Sequence, residues 1–205
     1  MDQSVSGIGV LDKAVAIVDA LDKGPLPLSE LVAATGLPKA TVHRIALAME
    51  THGLVQRDTE GRYGWGVRLA APSLAAAARP ALERLRDATG ESTQLYVRRG
   101  DVRVCVASIE SPHSLRTIVA VGATLPLSRG SAGRVFRGEG PWAESVEERE
   151  KGVASVSAPV THDGRVFGAV SVSGPVERTT RAPGKRYAKA VVSAARQVEE
   201  AMGWR

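Results

Sequence analysis

The chain has 205 residues, of which 43% are hydrophobic and 24% charged, with a formal net charge of +5 and a single cysteine. This composition predicts a globular protein with room for two modest domains, and the lone cysteine excludes an internal disulfide framework. Apolar runs stay shorter than a membrane span, and the start MDQSVSGIGV lacks the features of a secretory signal, so we expect a cytoplasmic protein with no membrane partner.

Charge is segregated in the first 75 residues, which hold seven Lys and Arg against eight Asp and Glu. Five acidic residues precede Lys39, whereas four arginines follow it. The surplus of positive charge lies in the rest of the chain, so the location of charge in this stretch is more informative than the net value. Segregation of this kind indicates a surface with a basic side.

Three short helices are predicted first. An apolar stripe begins at Leu11 and indicates a helix that ends near Gly24-Pro25, with an inward face formed by Leu11, Ala14, Val15, Val18 and Leu21. A second helix fits LSELVAAT and ends at Gly36, which can adopt the left-handed conformation. Pro38 then suits the start of a third helix, because that position needs no amide hydrogen. The pattern is a helix, a tight turn and a helix.

The third helix has two unlike faces. Its inward stripe is predicted to be Val42, Ile45, Ala46 and Met49, and its outward face begins with the small, polar or basic residues Lys39, Ala40, Thr41, His43 and Arg44. Short side chains allow close approach to the major groove, and the donors suit base edges and phosphates. The same face on a small helical domain can also be an ordinary solvated surface.

A hairpin signal after Gly53 favours the DNA-binding interpretation. LVQR and RYGW flank the turn DTEG, in which Gly61 can take a positive φ. Arg57 and Arg62 are expected at the base of this hairpin as phosphate or minor-groove contacts. Helices and hairpin together describe a winged helix-turn-helix. The four histidines are scattered, and we expect neither a metal site nor a cofactor.

The remainder of the chain predicts an α+β domain. RLAAPSLAAAARPALERLRDATG is a helical connector with an expected break at Arg79-Pro80. Strands are then predicted at TQLYVRR, DVRVCVASIE, LRTIVAV, VASVSAPV and VFGAVSVSG. A closing helix runs from about Gly184 to Met202, with the apolar stripe Tyr187, Val191, Ala194, Ala195 and Val198. An antiparallel sheet flanked by helices follows from this order.

Serines share one face of two predicted neighbouring strands. Ser155 and Ser157 alternate with Val156, while Ser171 and Ser173 alternate with Val170 and Val172. An open serine face is an ordinary half-exposed sheet, whereas a covered face requires partners that a polar ligand can supply. The run LSRGSAGRVF favours a pocket, because glycines around Ser131 put backbone amides where a carboxylate can bind. Arg129 or Arg134 is considered as an added charge, with solvated surface arginines as the alternative.

No catalytic set is recognised. Ser131 lies in G-S-A-G rather than in a nucleophile elbow, and AESVEERE is expected to be a solvated or capping segment. Cys105 lies in a β-like run and is expected to pack in the sheet, with a reactive thiol as the alternative. We therefore expect a binding protein and keep, as an alternative from a different class, a small-molecule enzyme with a structural winged helix.

The ordered motifs of nearly the whole chain resemble the IclR-type transcriptional regulators. They include GVLDKAVAIVDAL, LSELVAATGLPKATVHRIALAMETHGLV, GRYGWGVRL, RDATGESTQLYVRRGDVRVCVAS, LRTIVAVGATLPLSRGSAG, EREKGVASVSAPV and AVSVSGPVERTTR. The resemblance is greatest to the actinobacterial branch associated with amino-acid metabolism. It implies a winged helix-turn-helix at residues 1–70, a helical linker used in dimerisation at residues 71–90 and a GAF-like effector domain at residues 91–205.

The resemblance also implies a site and partners. Ser131 and Ala132 match the family's pocket loop, Ser145 its acidic or polar loop position, and Ser155, Ser171 and Ser173 its distal strand positions. Expected partners are double-stranded DNA with a near-palindromic operator, a small organic acid or amino-acid-related effector, and a second copy of the chain, with a dimer of dimers left open. Only RGEGP stands where the family has further helical turns, so the effector domain is expected to be shortened. The alternative is a domain that has lost its ligand and serves only oligomerisation.

Overall fold

The computed structural model describes residues 6–22 and 24–204. The chain divides into two compact units, residues 1–70 and 71–205. Within the described residues, no helix is both long enough and apolar enough to cross a bilayer.

The N-terminal unit is a three-helix bundle followed by a two-stranded hairpin. Its elements are α1 (Gly9–Ala20), α2 (Leu28–Thr35), α3 (Lys39–Thr51), β1 (Val55–Arg57) and β2 (Tyr63–Trp65). β1 and β2 pair antiparallel, and the three helices contact one another. The predicted order of a helix, a tight turn, a helix and a hairpin is confirmed.

The core of this unit corrects the predicted face of α1. Ile17 and Leu21 are buried at 0% and 3% exposure, but Leu11 and Val15, predicted to face inward, are 50% and 48% exposed. Ala14 and Val18 of the predicted stripe pack on the core together with Ile17, so the buried face is rotated toward Ile17 and away from Leu11 and Val15. An apolar edge of α1 therefore remains on the surface.

The connector is one helix, α4 (Val67–Thr89), so the predicted break at Arg79-Pro80 is wrong. Pro72 and Pro80 are both exposed. A proline removes the hydrogen bond to the carbonyl four residues earlier, and Ala76, which supplies that carbonyl for Pro80, is exposed as well. Water can therefore satisfy the carbonyl of Ala76. The opposite side of α4 is buried, and its packing holds the helix continuous through Pro80.

The C-terminal unit is built on a six-stranded antiparallel sheet with the order β5-β4-β3-β8-β7-β6. The strands are β3 (Ser92–Arg99), β4 (Val102–Ile109), β5 (Thr124–Pro126), β6 (Ala143–Val146), β7 (Val153–His162) and β8 (Arg165–Pro175). β7 and β8 are joined by Asp163 and Gly164, both at positive φ, as the turn THDG predicts. The predicted α+β class is confirmed.

Residues 115–121, the run LRTIVAV, form no strand, contrary to the sequence prediction. The edge of β4 is taken by β5 instead. Leu115, Ile118 and Val121 are more than half exposed, and only Thr117 and Val119 are buried. β-branched residues gave the run its strand character, but pairing needs a free neighbouring edge as well. A second correction is that AESV, predicted to be solvated or capping, is the edge strand β6.

Helices cover both faces of the sheet. The short helix α5 (Ser131–Phe136) packs against β6, β7 and β8. A single helical turn, α6 (Val176–Thr179), follows β8. α7 (Pro183–Ala201) contacts the same three strands as α5 and buries its predicted apolar stripe. Its N-terminal Gly184 amide donates to Glu144, whose neighbour Ser145 points to the α5 side, so α7 lies on the opposite face.

Candidate functional site

The exposed side of α3 is the first candidate site. α2 ends at Gly36 with φ 65°, and α3 begins directly after Pro38. The four residues predicted to face inward are buried, which turns the N-terminal half of the opposite face outward. Of the five α3 residues predicted to contact DNA, Thr41 is half-buried and the others are exposed, namely Lys39, Ala40, His43 and Arg44.

The exposed arginine of α3 and the two hairpin arginines differ in whether a carboxylate pairs with them in the described structure. Among the residues that the structure describes, Arg44 has no ion-pair partner. Arg57 Nε lies 3.2 Å from Glu50 Oε2, and its guanidinium lies 5.0 Å from the centre of the Tyr63 ring. Arg62 Nε lies 2.7 Å from Asp58 Oδ2 in the hairpin turn. The two hairpin arginines are thus held within the unit by carboxylates.

A small cavity between α5 and the sheet is the second candidate site. It has a volume of about 20 Å³ and is lined by all six residues predicted to contact an effector, namely Ser131, Ala132, Ser145, Ser155, Ser171 and Ser173. Antiparallel register brings them together, because Ser155 pairs with both Ser173 and Ser145 across adjacent strands. The serine face is therefore covered rather than open to water.

The cavity hydroxyls are hydrogen-bonded to one another. Ser131 Oγ lies 2.7 Å from both Ser155 Oγ and Ser157 Oγ, and Ser157 donates to Ser171 at 2.9 Å. Ser173 donates to the buried Gln94 side chain at 3.1 Å. This network satisfies the serine hydroxyls without a ligand and leaves Gln94 Nε2 as a buried donor that has no partner in the described structure. A volume near 20 Å³ holds about one water. A larger ligand must therefore open this network.

The loop before α5 is held by an acidic residue. The Gly130 amide donates to Glu148 Oε2 at 3.0 Å, and Arg134 hydrogen-bonds the same carboxylate. Arg134 is consequently engaged outside the cavity, and Arg129 is exposed. The amide of Gly130 is not available to a ligand, contrary to what the glycine-rich run suggested.

Two arginines that sequence reasoning missed line the cavity, Arg103 and Arg149. Arg103 is 3% exposed, and burial lowers the pKa of its guanidinium. Its Nη1 donates to the carbonyl oxygens of Pro126 and of Arg129, the latter at 2.7 Å. The available signal was a charged residue two positions from Cys105 in the run VRVCVAS, on the same side of an otherwise apolar strand.

Other candidate chemistry is weak in the part of the chain that the structure describes. Cys105 is fully buried, and burial raises the pKa of its thiol to about 11, which opposes the reactive-thiol alternative. Over residues 6–22 and 24–204, no group of three or more His, Cys, Asp or Glu side chains is placed to hold a metal ion.

Relatives of this chain are bacterial regulators. The HTH-type transcriptional regulator KipR of Bacillus subtilis is 35% identical over 131 residues, which span 60% of this chain and 52% of KipR. The glycerol operon regulatory protein of Streptomyces griseus is 29% identical, with 94% of this chain and 96% of that protein covered. The crystal structure of an IclR homologue from Microbacterium hydrocarbonoxydans, complexed with 4-hydroxybenzoate, shares the fold with a TM-score of 0.56 at 19% identity, covering 95% and 99% of the two chains.

Family models match both units. The IclR helix-turn-helix domain matches residues 10–59, and the C-terminal domain of the bacterial transcriptional regulator IclR matches residues 68–141 and 136–200. These matches cover the three helices and the first hairpin strand of the first unit, and the sheet of the second. The chain therefore belongs to the IclR family of transcriptional regulators.

Proposed function

We propose that this protein regulates transcription by sequence-specific binding to double-stranded DNA, with α3 in the major groove. The observation that carries the proposal is the outward N-terminal half of α3, which is largely exposed, has short side chains at Ala40 and Thr41, and is basic at Lys39 and Arg44. Membership of the family assigns regulation rather than catalysis. A mobility shift with the DNA upstream of its own gene tests the function, and an equal shift with unrelated DNA contradicts specificity.

Specific contacts come from Lys39, Ala40, Thr41, His43 and Arg44 in this proposal, and Arg57 and Arg62 contact phosphates. The arginines of the hairpin exchange their carboxylate partners for phosphate oxygens on binding, so each adds less than an unpaired arginine does. The domain assignment follows the same division: residues 1–70 bind DNA, residues 71–90 link, and residues 91–205 form the effector domain.

The DNA-binding form is proposed to be a homodimer on a near-palindromic operator. One recognition helix reads too few base pairs for useful selectivity, whereas two-fold symmetry places two helices at a fixed spacing. The apolar patch at the start of α1 supports a second copy as its partner, because Ile8, Val10, Leu11 and Val15 are each about half exposed or more. A tetramer formed by association of two dimers is kept as the alternative assembly.

Replacement of Leu11 and Val15 by glutamate is expected to weaken the dimer at least about 100-fold, since each apolar side chain contributes roughly 1.5 to 3 kcal/mol when fully buried. Sedimentation at micromolar concentration checks this. Leu115→Glu is the matched control, because Leu115 is 68% exposed and lies in the other unit. A wild-type monomer, or a double variant that remains dimeric, contradicts the proposed interface.

The cavity under α5 is proposed to bind a small organic acid or an amino-acid-related metabolite. All six predicted contact residues line this one cavity, which supports the assignment.

The effector domain is proposed to be shortened. The two matches to the C-terminal family model overlap at residues 136–141, and the alignment to the Streptomyces griseus relative spans 244 positions against 205 residues here. We further propose the actinobacterial amino-acid-metabolism branch, on the motifs of the sequence, and action in the cytoplasm, where the DNA lies.

A calorimetric screen of oxo acids, amino acids and aromatic acids tests the cavity. We expect binding by the wild type that weakens about 10-fold in Ser155→Val with Ser173→Val, since each lost hydrogen bond is worth about 0.5 to 1.5 kcal/mol net. 4-Hydroxybenzoate belongs in the screen, because it is bound by the Microbacterium homologue. Unchanged affinity in the double variant places the ligand elsewhere, and the absence of any wild-type binding supports the alternative of a domain used only for oligomerisation.

A further inference from the structure

The cavity under α5 has an unbalanced charge. Arg103 and Arg149 line it, and the other lining residues are one tyrosine, one glycine, one alanine, one valine and five serines, without a carboxylate. Arg149 is partly exposed and its Nη2 lies 4.0 Å from Glu150 Oε2, whereas Arg103 is buried and forms no ion pair with any residue that the structure describes. Positive charge buried without a partner is costly, so a site of this composition favours a bound anion.

Arg103 has donors left over. Two backbone carbonyls accept from its Nη1, and the guanidinium lies 5.4 Å from the centre of the Tyr96 ring. Its Nε is buried and has no hydrogen-bond partner in the described structure. A buried charged donor without an acceptor is unfavourable. Of the guanidinium's five donors, only those on Nη1 are therefore accounted for by the protein.

The backbone leaves the guanidinium open to the cavity. Gly130 has φ 79°, and a Cβ built there would lie 3.0 Å from Arg103 Nη2 and 3.9 Å from Ser145 Oγ. A side chain at this position would occupy the space between the guanidinium and the serine hydroxyls. Glycine therefore keeps Nη2 and the hydroxyls facing the same small volume.

We propose that Arg103 is the residue that binds the carboxylate of the effector, and that the effector is a two- or three-carbon acid without an amino group. This inference rests on the proposed effector function of the cavity. An ammonium group finds no carboxylate among the lining residues and is repelled by both arginines, whereas an oxo or hydroxyl oxygen can exchange hydrogen bonds with the serines. The small volume admits such an acid only when it replaces hydrogen bonds between Ser131 and β7.

Four three-carbon compounds separate the relevant chemistry: pyruvate, L-lactate, L-alanine and lactamide. Titration calorimetry of the full chain is expected to show binding of pyruvate or lactate, at least about 10-fold weaker binding of L-alanine, and no binding of lactamide. This ranking is measured on the wild type, so it tests the inference even where a variant fails to fold. L-Alanine or lactamide bound as tightly as the acids overturns it.

Arg103→Met is expected to weaken binding of the acid about 10- to 100-fold, because it removes charge-assisted hydrogen bonds. Arg103→Lys keeps the charge but not the planar arrangement of donors, so its affinity for the acid is expected to lie between those of the wild type and Arg103→Met. Arg129→Met is the control, since Arg129 is exposed on the adjoining loop and its loss changes net charge equally. Unchanged affinity in Arg103→Met overturns the inference. If the wild type binds only larger or aromatic acids, the inference is overturned while the proposed effector function stands. If the wild type binds no acid, both the inference and the effector function are overturned.

Discussion

Replacing Arg178 with methionine is expected to lower the free energy of unfolding of the C-terminal unit by about 3 to 5 kcal/mol, the range for leaving a buried charge without its partner. The Arg178 side chain is 30% exposed, but the carboxylate that it pairs with is buried. Glu91 is 2% exposed, and Arg178 donates to it from Nε at 2.7 Å and from Nη2 at 2.9 Å. The variant leaves a buried carboxylate without its cation. A Cβ built at Gly174 would clash with Glu91 Oε2, so the carboxylate fits against this strand only because residue 174 is glycine.

Differential scanning calorimetry of the full chain checks this expectation, with the transition of each unit followed separately. Arg181→Met is the matched control, because Arg181 has 74% of its side chain exposed and pairs with Glu147 at 3.1 Å on the surface. Exposed pairs contribute about 1 kcal/mol or less. Equal effects of the two substitutions would contradict a structural role for the pairing of Arg178 with the buried Glu91.

Replacing Arg44 with alanine is expected to cost about 1 to 3 kcal/mol of binding to the operator and to relax the sequence preference, as expected for loss of a base contact. Arg44 is exposed on the outward face of α3 and unpaired among the described residues, so its guanidinium is available without breaking an internal contact. Fluorescence anisotropy with operator and scrambled DNA at one fixed salt concentration measures both quantities.

Arg98→Ala is the control for Arg44, because Arg98 is an exposed arginine of the C-terminal unit and its removal changes the net charge equally. We expect it to leave the affinity for operator close to that of the wild type. A loss in Arg44→Ala that is equal on operator and scrambled DNA reassigns Arg44 to the phosphate backbone. If Arg44→Ala lowers the affinity for neither operator nor scrambled DNA, α3 is not the element that reads the DNA sequence.

Local signals in the sequence predicted several elements closely. α2 has the predicted bounds Leu28–Thr35, and Gly36 ends it in the left-handed conformation. These features depend on a few adjacent residues and on backbone sterics, which a sequence displays directly. The hairpin turn at Asp163-Gly164 and the buried stripe of α7 belong to the same category.

Predictions that depended on distant partners were less successful. Residues 115–121 have β-branched character, but their pairing depends on which segment takes the edge of β4, and that segment is Thr124–Pro126. Leu11 and Val15 belong to an apolar stripe, yet the stripe cannot reveal which of its sides the core covers. Pro80 interrupts one hydrogen bond, and burial on the other side of α4 decides that the helix continues.

The candidate cavity shows the same division. Ser155 and Ser173 could be placed together because a short turn fixes the register of their two strands. Arg103 could not, because β4 joins the cavity only through the order of the whole sheet and through α5, which closes it. A sequence shows that Arg103 faces the same side of β4 as Cys105, but the sheet order decides what lies opposite.

The most direct test of the account is dimethyl sulfate protection of the DNA upstream of the protein's own gene. The reagent methylates guanine N7, which lies in the major groove, where α3 is proposed to bind. The wild-type protein is predicted to protect guanines in two similar half-sites spaced by about one helical turn or a multiple of it, and Arg44→Ala is predicted to lose that protection. Retarded DNA without any protected major-groove guanine, or protection that Arg44→Ala leaves intact, would contradict sequence reading by α3.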